Sequence, residues 1–212
     1  RVYLDRGLVR ELISSIPSSF TYHARNPAKN VPLGGDRSIF VPMTGAPFLR
    51  DLDNERRNPT LADLAMFHKL SHMLPALHST GHVICEPMDV AVGHRHLWIT
   101  YSSMKHSDKT FMGMSTSGEN GEDVMEMVRI AGGLSHEEFE SQPHMYTNIN
   151  STSPLKHDEP MIDGSLRLVR RGQPVIVSPF TLAGAMAPVT MAGAVAQSLA
   201  EALCAIALFQ YV

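Results

Sequence analysis

The sequence predicts an α/β fold with a parallel sheet, which we interpret as an incomplete (β/α)8 TIM barrel of about five βα units. Short apolar runs typical of buried strands begin near positions 38, 82, 110, 145 and 174. Their spacing, roughly 28 to 44 residues, leaves room for a strand, two loops and a helix in each unit. No G-x-G-x-x-G follows any of these runs. This absence favours the barrel over the other parallel solution, an open doubly wound sheet.

The first 36 residues differ from the rest. Apolar residues at helical spacing predict a helix over Leu4–Ile16, which Pro17 ends. Residues 18–36 are loop-like, with room for a short hairpin. We therefore assign residues 1–36 to an N-terminal helix and loop segment and residues 37–212 to a partial barrel. Because the chain begins at Arg1 and stops within a predicted helix, we expect an internal fragment, truncated at its C-terminal end.

The repeating units are predicted from runs of β-branched residues, helical periodicity and capping patterns. Predicted strands are Ser38–Val41, His82–Cys85, Thr110–Met114, Met145–Ile149 and Val175–Val177. Predicted helices cover Leu61–Leu74, the acidic run after Gly118, the segment from Asp158 to Arg171, and the segment from Thr190 to the end. The pattern over Leu97–Ser103 fits a helix and a strand equally well.

Composition excludes several classes of protein. A formal net charge of −3 gives no electrostatic reason to bind nucleic acid or anionic lipid. Two distant cysteines fit a reducing cytoplasm better than a disulfide framework. The charge-free window Gln173–Ala200 contains three prolines and mostly small residues, so we interpret it as buried rather than membrane-spanning. We expect a cytoplasmic protein that can form a homo-oligomer and that binds neither nucleic acid nor membrane.

In a barrel, the active site lies on the loops that follow the strands. Those loops are predicted at Met43–Pro47, Glu86–Asp89, Ser115–Gly118, Asn148–Ser153 and Ser178–Ala185. They carry hydroxyl and amide groups, with Glu86 and Asp89 as the charged exceptions, which suits a small polar or cationic substrate rather than a phosphate. Each hydroxyl has a plainer interpretation as a helix cap. The candidate substrate-binding residues are Glu86, Asp89, Asn148, Asn150, Ser178 and Phe180.

Other catalytic arrangements find little support in the sequence. His68 and His72 stand four residues apart on a predicted helix, as zinc ligands can. Lys69 replaces the glutamate that an H-E-x-x-H motif requires, so we expect no metal site. No Ser-His-Asp or Cys-His set is evident, and the catalytic residues remain unassigned.

The chain also carries a set of short runs that occur together. They are Arg25-Asn-Pro, Leu33-Gly-Gly, Thr44-Gly-Ala-Pro, Arg57-x-x-Thr60-x-x-Asp63, Asn150-Ser-Thr-Ser-Pro-Leu with Asp158, and Ser178-Pro-Phe-Thr-Leu-Ala-Gly-Ala-Met-Ala-Pro-Val-Thr-Met-Ala-Gly. Over nearly the whole chain, this set resembles the trimethylamine methyltransferase family, and the last run is its most specific part.

The resemblance implies a barrel that takes a methyl group from trimethylamine or a related quaternary amine and passes it to the Co(I) of a separate protein. It implies no directly bound cofactor, a cognate corrinoid (cobalamin) protein as partner and a small methylated amine as substrate. Some family members use pyrrolysine, at a position C-terminal to the matched part, whereas relatives without it act on quaternary amines such as glycine betaine. The fragment by itself is expected to be inactive.

Two alternatives stay open at this point. The first is a barrel that binds quaternary amines without catalysis. The second is an unrelated barrel enzyme, a lyase or aldolase, which needs a lysine at a strand end for a Schiff base. None of the five predicted loops contains a lysine, which counts against the second alternative.

Overall fold

The structure is a computed structural model that describes residues 3–53 and 55–212. More of these residues lie in helices than in strands. The helices are α1 (Arg6–Ser14), α2 (Leu61–Met73), α3 (Val92–His106), α4 (Gly118–Gly132), α5 (His136–Ser141), α6 (Glu159–Arg170) and α7 (Met191–Tyr211), with a short 3₁₀ helix at Pro27–Lys29. The strands are β1 (Ser19–Tyr22), β2 (Val31–Gly34), β3 (Leu49–Arg50), β4 (Arg56–Arg57), β5 (Thr147–Ile149) and β6 (Val175–Val177).

Local capping starts most helices where the sequence predicts them. Thr60 and Asp63 form the predicted capping box at the start of α2. The Asp158 side chain accepts the N–H of Met161 and begins α6. The undecided segment Leu97–Ser103 lies within α3. The short helix α5, which the sequence pattern did not predict, has a capping box of its own that begins at Ser135.

Five chain segments lie side by side in sequence order and run parallel. Isolated parallel bridges join Ala46 to Cys85, Ser79 to Thr110, and Met112 to Tyr146. Then β5 pairs with β6 in parallel, from Thr147 opposite Val175 to Ile149 opposite Val177. We call this arrangement the parallel ladder. The described residues do not form a closed barrel, so the (β/α)8 architecture stays a prediction.

The predicted strand at Ser38–Val41 is wrong. Its backbone bonds to a single distant residue instead: Phe40 N–H donates to His78 Nδ1 (3.0 Å), and Phe40 O accepts the N–H of His78 (2.9 Å). Phe40 is 60% exposed and therefore buries too little surface to hold a central strand. The ladder begins at Gly45 and Ala46, inside the predicted loop Met43–Pro47, where Gly45 adopts a φ of +77°.

Helices cover one face of the parallel ladder. Leu64 of α2 and Ile99 of α3 pack on Val83 and Cys85. Two further clusters continue this core along the sheet. They comprise Phe111, Val124, Met125, Val128, Phe139, Met145 and Leu168, and then Ile149, Ala205 and Phe209.

The antiparallel hairpin of β1 and β2 attaches to the edge where the ladder strands begin. The buried Tyr22 hydroxyl accepts the N–H of Phe111 (3.1 Å) and donates to the carbonyl of the same residue. The next residue, His23, donates its backbone N–H to Pro143 O (2.8 Å). The hairpin therefore lies at the opposite edge from the predicted active-site loops. The domain boundary after residue 36 stays a prediction.

Among the described residues, α7 is the one helix long and apolar enough to cross a membrane by length and composition alone. It packs against α1, α6 and β6 and carries Glu201, a carboxylate that is only 2% exposed. One side of α7 packs on the fold, while Val195 and Leu199 on its other side are more than half exposed.

Candidate functional site

The edge where the ladder strands end carries the predicted site residues. Successive side chains of a strand point to opposite faces. In β5, Thr147 and Ile149 are buried towards the helices, while Asn148 between them is half-buried on the other face. Ser178 follows β6 directly, and its Oγ donates to Asn148 Oδ1 (2.7 Å). Among the six predicted substrate-binding residues, this is the pair that the structure brings into contact.

Asn150 and Phe180 continue from the same two strands. Asn150 follows β5 and is exposed. Phe180 lies three residues beyond β6 and is 64% exposed, so most of its surface is accessible to solvent. Their side chains lie where the loops meet solvent, and their role in binding stays a prediction.

Glu86 and Asp89 lie beyond the second ladder segment, and the structure gives each a partner. Glu86 Oε2 lies 3.6 Å from Arg95 Nη1. Asp89 Oδ1 accepts the N–H of Leu61 (2.8 Å) at the first turn of α2, where a helix favours negative charge. Neither carboxylate contacts the Asn148–Ser178 pair in the described structure. Their predicted role in balancing a substrate cation remains untested.

A buried carboxylate that the sequence analysis missed lies beneath these loops. Glu201 of α7 accepts hydrogen bonds from the hydroxyls of Ser151 and Ser153 and from the N–H of Leu155. Burial raises the pKa of Glu201, but these bonds and one from Gln197 lower it more, so its pKa lies below the usual value. Glu201 is therefore ionised at neutral pH. We call Glu201 with its four donors the Glu201 cradle.

The sequence did contain a signal for this residue. Glu201 is the one charged residue between Gln173 and Val212. A single carboxylate in an otherwise uncharged Ala-rich helix is costly to bury unless it is hydrogen-bonded. Its position therefore indicates a specific set of donors, although the sequence does not say which.

The histidines that suggested zinc make other bonds. His68 Nδ1 lies 3.0 Å from Ser102 Oγ, and burial lowers the pKa of His68 to about 4. His72 Nδ1 lies 3.3 Å from Ser107 Oγ. The described residues hold no group of three or more His, Cys, Asp or Glu side chains arranged for a metal ion.

Comparison with known proteins then decides the family. The chain matches the family described as trimethylamine methyltransferase over residues 1–212. It belongs to the trimethylamine methyltransferase family. The resemblance noted in the sequence is thereby confirmed.

Three curated relatives cover nearly all of the chain. A glycine betaine methyltransferase of Desulfitobacterium hafniense (strain Y51) is 41% identical over 99% of this chain and 44% of its own length. The trimethylamine methyltransferase MttB of D. hafniense (strain DSM 10664 / DCB-2) is 29% identical over 99% of this chain and 42% of its own length. A proline betaine:corrinoid methyltransferase of Eubacterium limosum is 24% identical over 100% of this chain and 44% of its own length. The chain thus spans less than half the length of these relatives.

Several of the runs that carry the family resemblance form hydrogen bonds and ion pairs that stabilise the ends of helices. Arg57 donates from both terminal nitrogens to the Asp63 carboxylate (2.7 Å each), which holds the pKa of Asp63 well below its usual range. The Arg25 guanidinium donates to the carbonyls of Met104 and Ser107 at the end of α3. These bonds position helices and do not reach the Asn148–Ser178 pair.

The two most C-terminal runs of the resemblance contact α7 instead. The run beginning at Asn150 supplies the hydroxyls and the N–H of the Glu201 cradle. In the run beginning at Ser178, the Met186 carbonyl accepts the side-chain amide of Gln197 (2.8 Å). These two runs form loops over the candidate site, and both are tied to α7.

Proposed function

We propose that the protein containing this chain is a methyltransferase that removes a methyl group from a betaine-type quaternary amine, glycine betaine first, and passes it to a corrinoid carried by a partner protein. The observation that carries the proposal is the 41% identity to a glycine betaine methyltransferase over 99% of the chain. Identity to the trimethylamine and proline betaine relatives is lower, at 29% and 24%.

The candidate site supports a substrate that has a carboxylate. Ser178 occupies Oδ1 of Asn148, so the amide nitrogen of Asn148 faces away from this bond. It donates no hydrogen bond among the described residues, which leaves two N–H groups for a ligand acceptor. A betaine offers carboxylate oxygens to these groups, whereas trimethylamine has no acceptor oxygen.

The exposed side chains beside this pair suit the other half of such a substrate. Phe180 presents an open aromatic ring, and a quaternary ammonium is attracted to an aromatic face. Methyl transfer breaks the carbon–nitrogen bond, and its electron pair stays on nitrogen, so the betaine leaves as a tertiary amine. The reduced cobalt of the partner supplies both electrons of the new bond to carbon. The enzyme's task is to orient the methyl group towards that acceptor.

The test uses the complete gene product with its cognate corrinoid protein reduced to Co(I). Glycine betaine, proline betaine and trimethylamine are offered separately, and methylation of the corrinoid is followed by its absorbance. We expect transfer from glycine betaine at the highest kcat/KM. No transfer from any of the three amines refutes the proposal. Calorimetric binding of glycine betaine without transfer identifies a binding protein instead.

A further inference from the structure

We infer that Glu201 is a positioning residue for the candidate site and that it holds the loops following β5 and β6 in one joint arrangement. The inference rests on the proposed function, because it assigns Glu201 a role in substrate binding. Glu201 itself reaches the site only through other residues.

The first step is the fit between the carboxylate and the β5–α6 loop. An ionised carboxylate offers about four acceptor positions. In Glu201 all are used: Oε2 by the hydroxyls of Ser151 and Ser153, and Oε1 by Leu155 N–H (2.9 Å) and Gln197 Nε2 (2.9 Å). No cationic side chain among the described residues forms an ion pair with it. The loop's own donors therefore stabilise the buried charge.

The consequence is a strong preference for one loop position. If the loop moves away, a carboxylate that is 2% exposed loses three of its four donors. Such a group is costly to leave unsatisfied, more so than a neutral one. The backbone of Glu201 adds a further tie, since its carbonyl accepts His157 Nε2 (3.1 Å) at the other end of the loop.

The second step is the link to the β6–α7 loop. Gln197 lies one helical turn before Glu201, and its Nε2 donates both to Glu201 Oε1 (2.9 Å) and to Met186 O (2.8 Å). On the same helix, the Ser198 hydroxyl bonds to that of Thr181. The surface of α7 that carries Glu201 thus holds both loops.

The third step connects the loops to the candidate site. Asn150 precedes the first cradle residue, Ser151. Ser178 and Phe180 begin the loop that Gln197 holds at Met186. The carboxylate therefore fixes the separation between the two sides of the site without touching a substrate.

The experiment uses the complete gene product and the variant Glu201→Gln. The substitution keeps the shape but turns one acceptor oxygen into a donor, and it removes the charge. Hydrogen exchange of the segment 150–158 is measured by mass spectrometry, together with KM and kcat for glycine betaine. We expect exchange to quicken about tenfold and KM to rise about tenfold, with kcat changed less than about threefold.

Two further variants keep the test decisive. Ser153→Ala removes one donor and leaves α7 intact, so a smaller rise in both exchange and KM, about threefold, is expected. Phe139→Leu opens the core at a residue that is fully buried and far from the loops. It should lower the melting temperature while leaving KM and exchange of the segment unchanged.

The outcomes separate the two hypotheses. If exchange of the segment 150–158 is unchanged in both Glu201→Gln and Ser153→Ala, the role of Glu201 is refuted. It is equally refuted if KM stays constant in Glu201→Gln, as is expected for Phe139→Leu. If the unmodified protein transfers no methyl group, the proposed function fails, and exchange still decides whether Glu201 holds the loops.

Discussion

The two ends of β5 are held by buried polar side chains of opposite chemistry. Where β5 begins, the Gln173 amide is 1% exposed. Its oxygen accepts the N–H groups of His144 (2.8 Å) and Met145 (3.1 Å). Its nitrogen donates to the carbonyls of Phe139 (2.8 Å), Gln142 (3.2 Å) and Arg171 (2.9 Å). Where β5 ends, Glu201 only accepts.

The difference follows from what each end of the strand offers. The start of β5 presents both N–H donors and carbonyl acceptors, and the neutral amide of Gln173 satisfies both kinds of group. The end near the candidate site presents donors alone, which a carboxylate satisfies without a cation. Thus a buried negative charge lies at the end of β5, beneath the loops of the site, and a buried neutral amide lies at its start.

The largest effect is expected when the amide at the start of β5 becomes a carboxylate. In Gln173→Glu, an acceptor oxygen faces three carbonyl oxygens that have lost their donor. We expect the free energy of unfolding, measured in urea at pH 7, to fall by about 3 kcal/mol or more. The matched exchange Glu201→Gln should cost about 1 kcal/mol, because hydroxyls can reverse their donation. Equal losses of unfolding free energy in Gln173→Glu and Glu201→Gln contradict the proposed difference between the two ends of β5.

The next effect tests whether the donors around Glu201 need an acceptor at all. Glu201→Leu leaves two hydroxyls and the Leu155 N–H without their partner. We expect a loss of about 2 kcal/mol in the free energy of unfolding, measured by the same urea titration. Glu159→Leu, at an exposed position of α6, serves as the control and should change stability by less than about 0.5 kcal/mol. A neutral result for Glu201→Leu contradicts the cradle.

The dependence of stability on pH distinguishes the contribution of Glu201 from that of the buried histidines. Burial lowers the pKa of His68 and of His82 from 6.5 to about 4. Between these pH values the unfolded chain binds protons that the folded chain does not, so stability falls as pH falls. The free energy of unfolding changes by up to about 1.4 kcal/mol per pH unit for each imidazole. Above about pH 5 the contribution of Glu201 stays constant, because its carboxylate is ionised in both the folded and the unfolded chain. At lower pH this contribution also falls, because the unfolded chain takes up the proton before the folded chain does.

Urea titrations from pH 7 to pH 4 check this prediction. His68→Gln removes one of these imidazoles and should reduce the slope between pH 6.5 and pH 5 by up to about 1.4 kcal/mol per pH unit. Glu201→Gln should leave the slope between pH 6.5 and pH 5 unchanged. A free energy of unfolding that does not change with pH in the unmodified protein contradicts the lowered pKa values of the buried histidines.

The smallest effect concerns the ligand side of the loops. Ser178→Ala removes the donor that orients the Asn148 amide. We expect the dissociation constant for glycine betaine to rise about fivefold, measured by calorimetry on the complete gene product. Ser165→Ala, a buried hydroxyl on α6 that bonds to Met161 O, is the control and should leave it unchanged. An unaltered dissociation constant in Ser178→Ala removes Asn148 from the proposed binding role.

Local patterns determined a large part of this fold. The bounds of β6, the capping box of α2 and the start of α6 follow from residues within about four positions of each other. The family also follows from the sequence, since its runs extend along the chain. By contrast, Ser38–Val41 has the composition of a strand, yet its backbone bonds to His78, which lies far along the chain.

Only the tertiary structure decided how the candidate site is held. Glu201 meets Ser151 across 50 residues, and Ser178 meets Asn148 across 30. The carboxylates of Glu86 and Asp89 look free in sequence, yet each finds a partner on a helix. The physical reason is that a buried polar group must be satisfied by whatever the fold places beside it. The sequence determines that Glu201 needs donors, and only the packing of α7 beneath the two loops selects them.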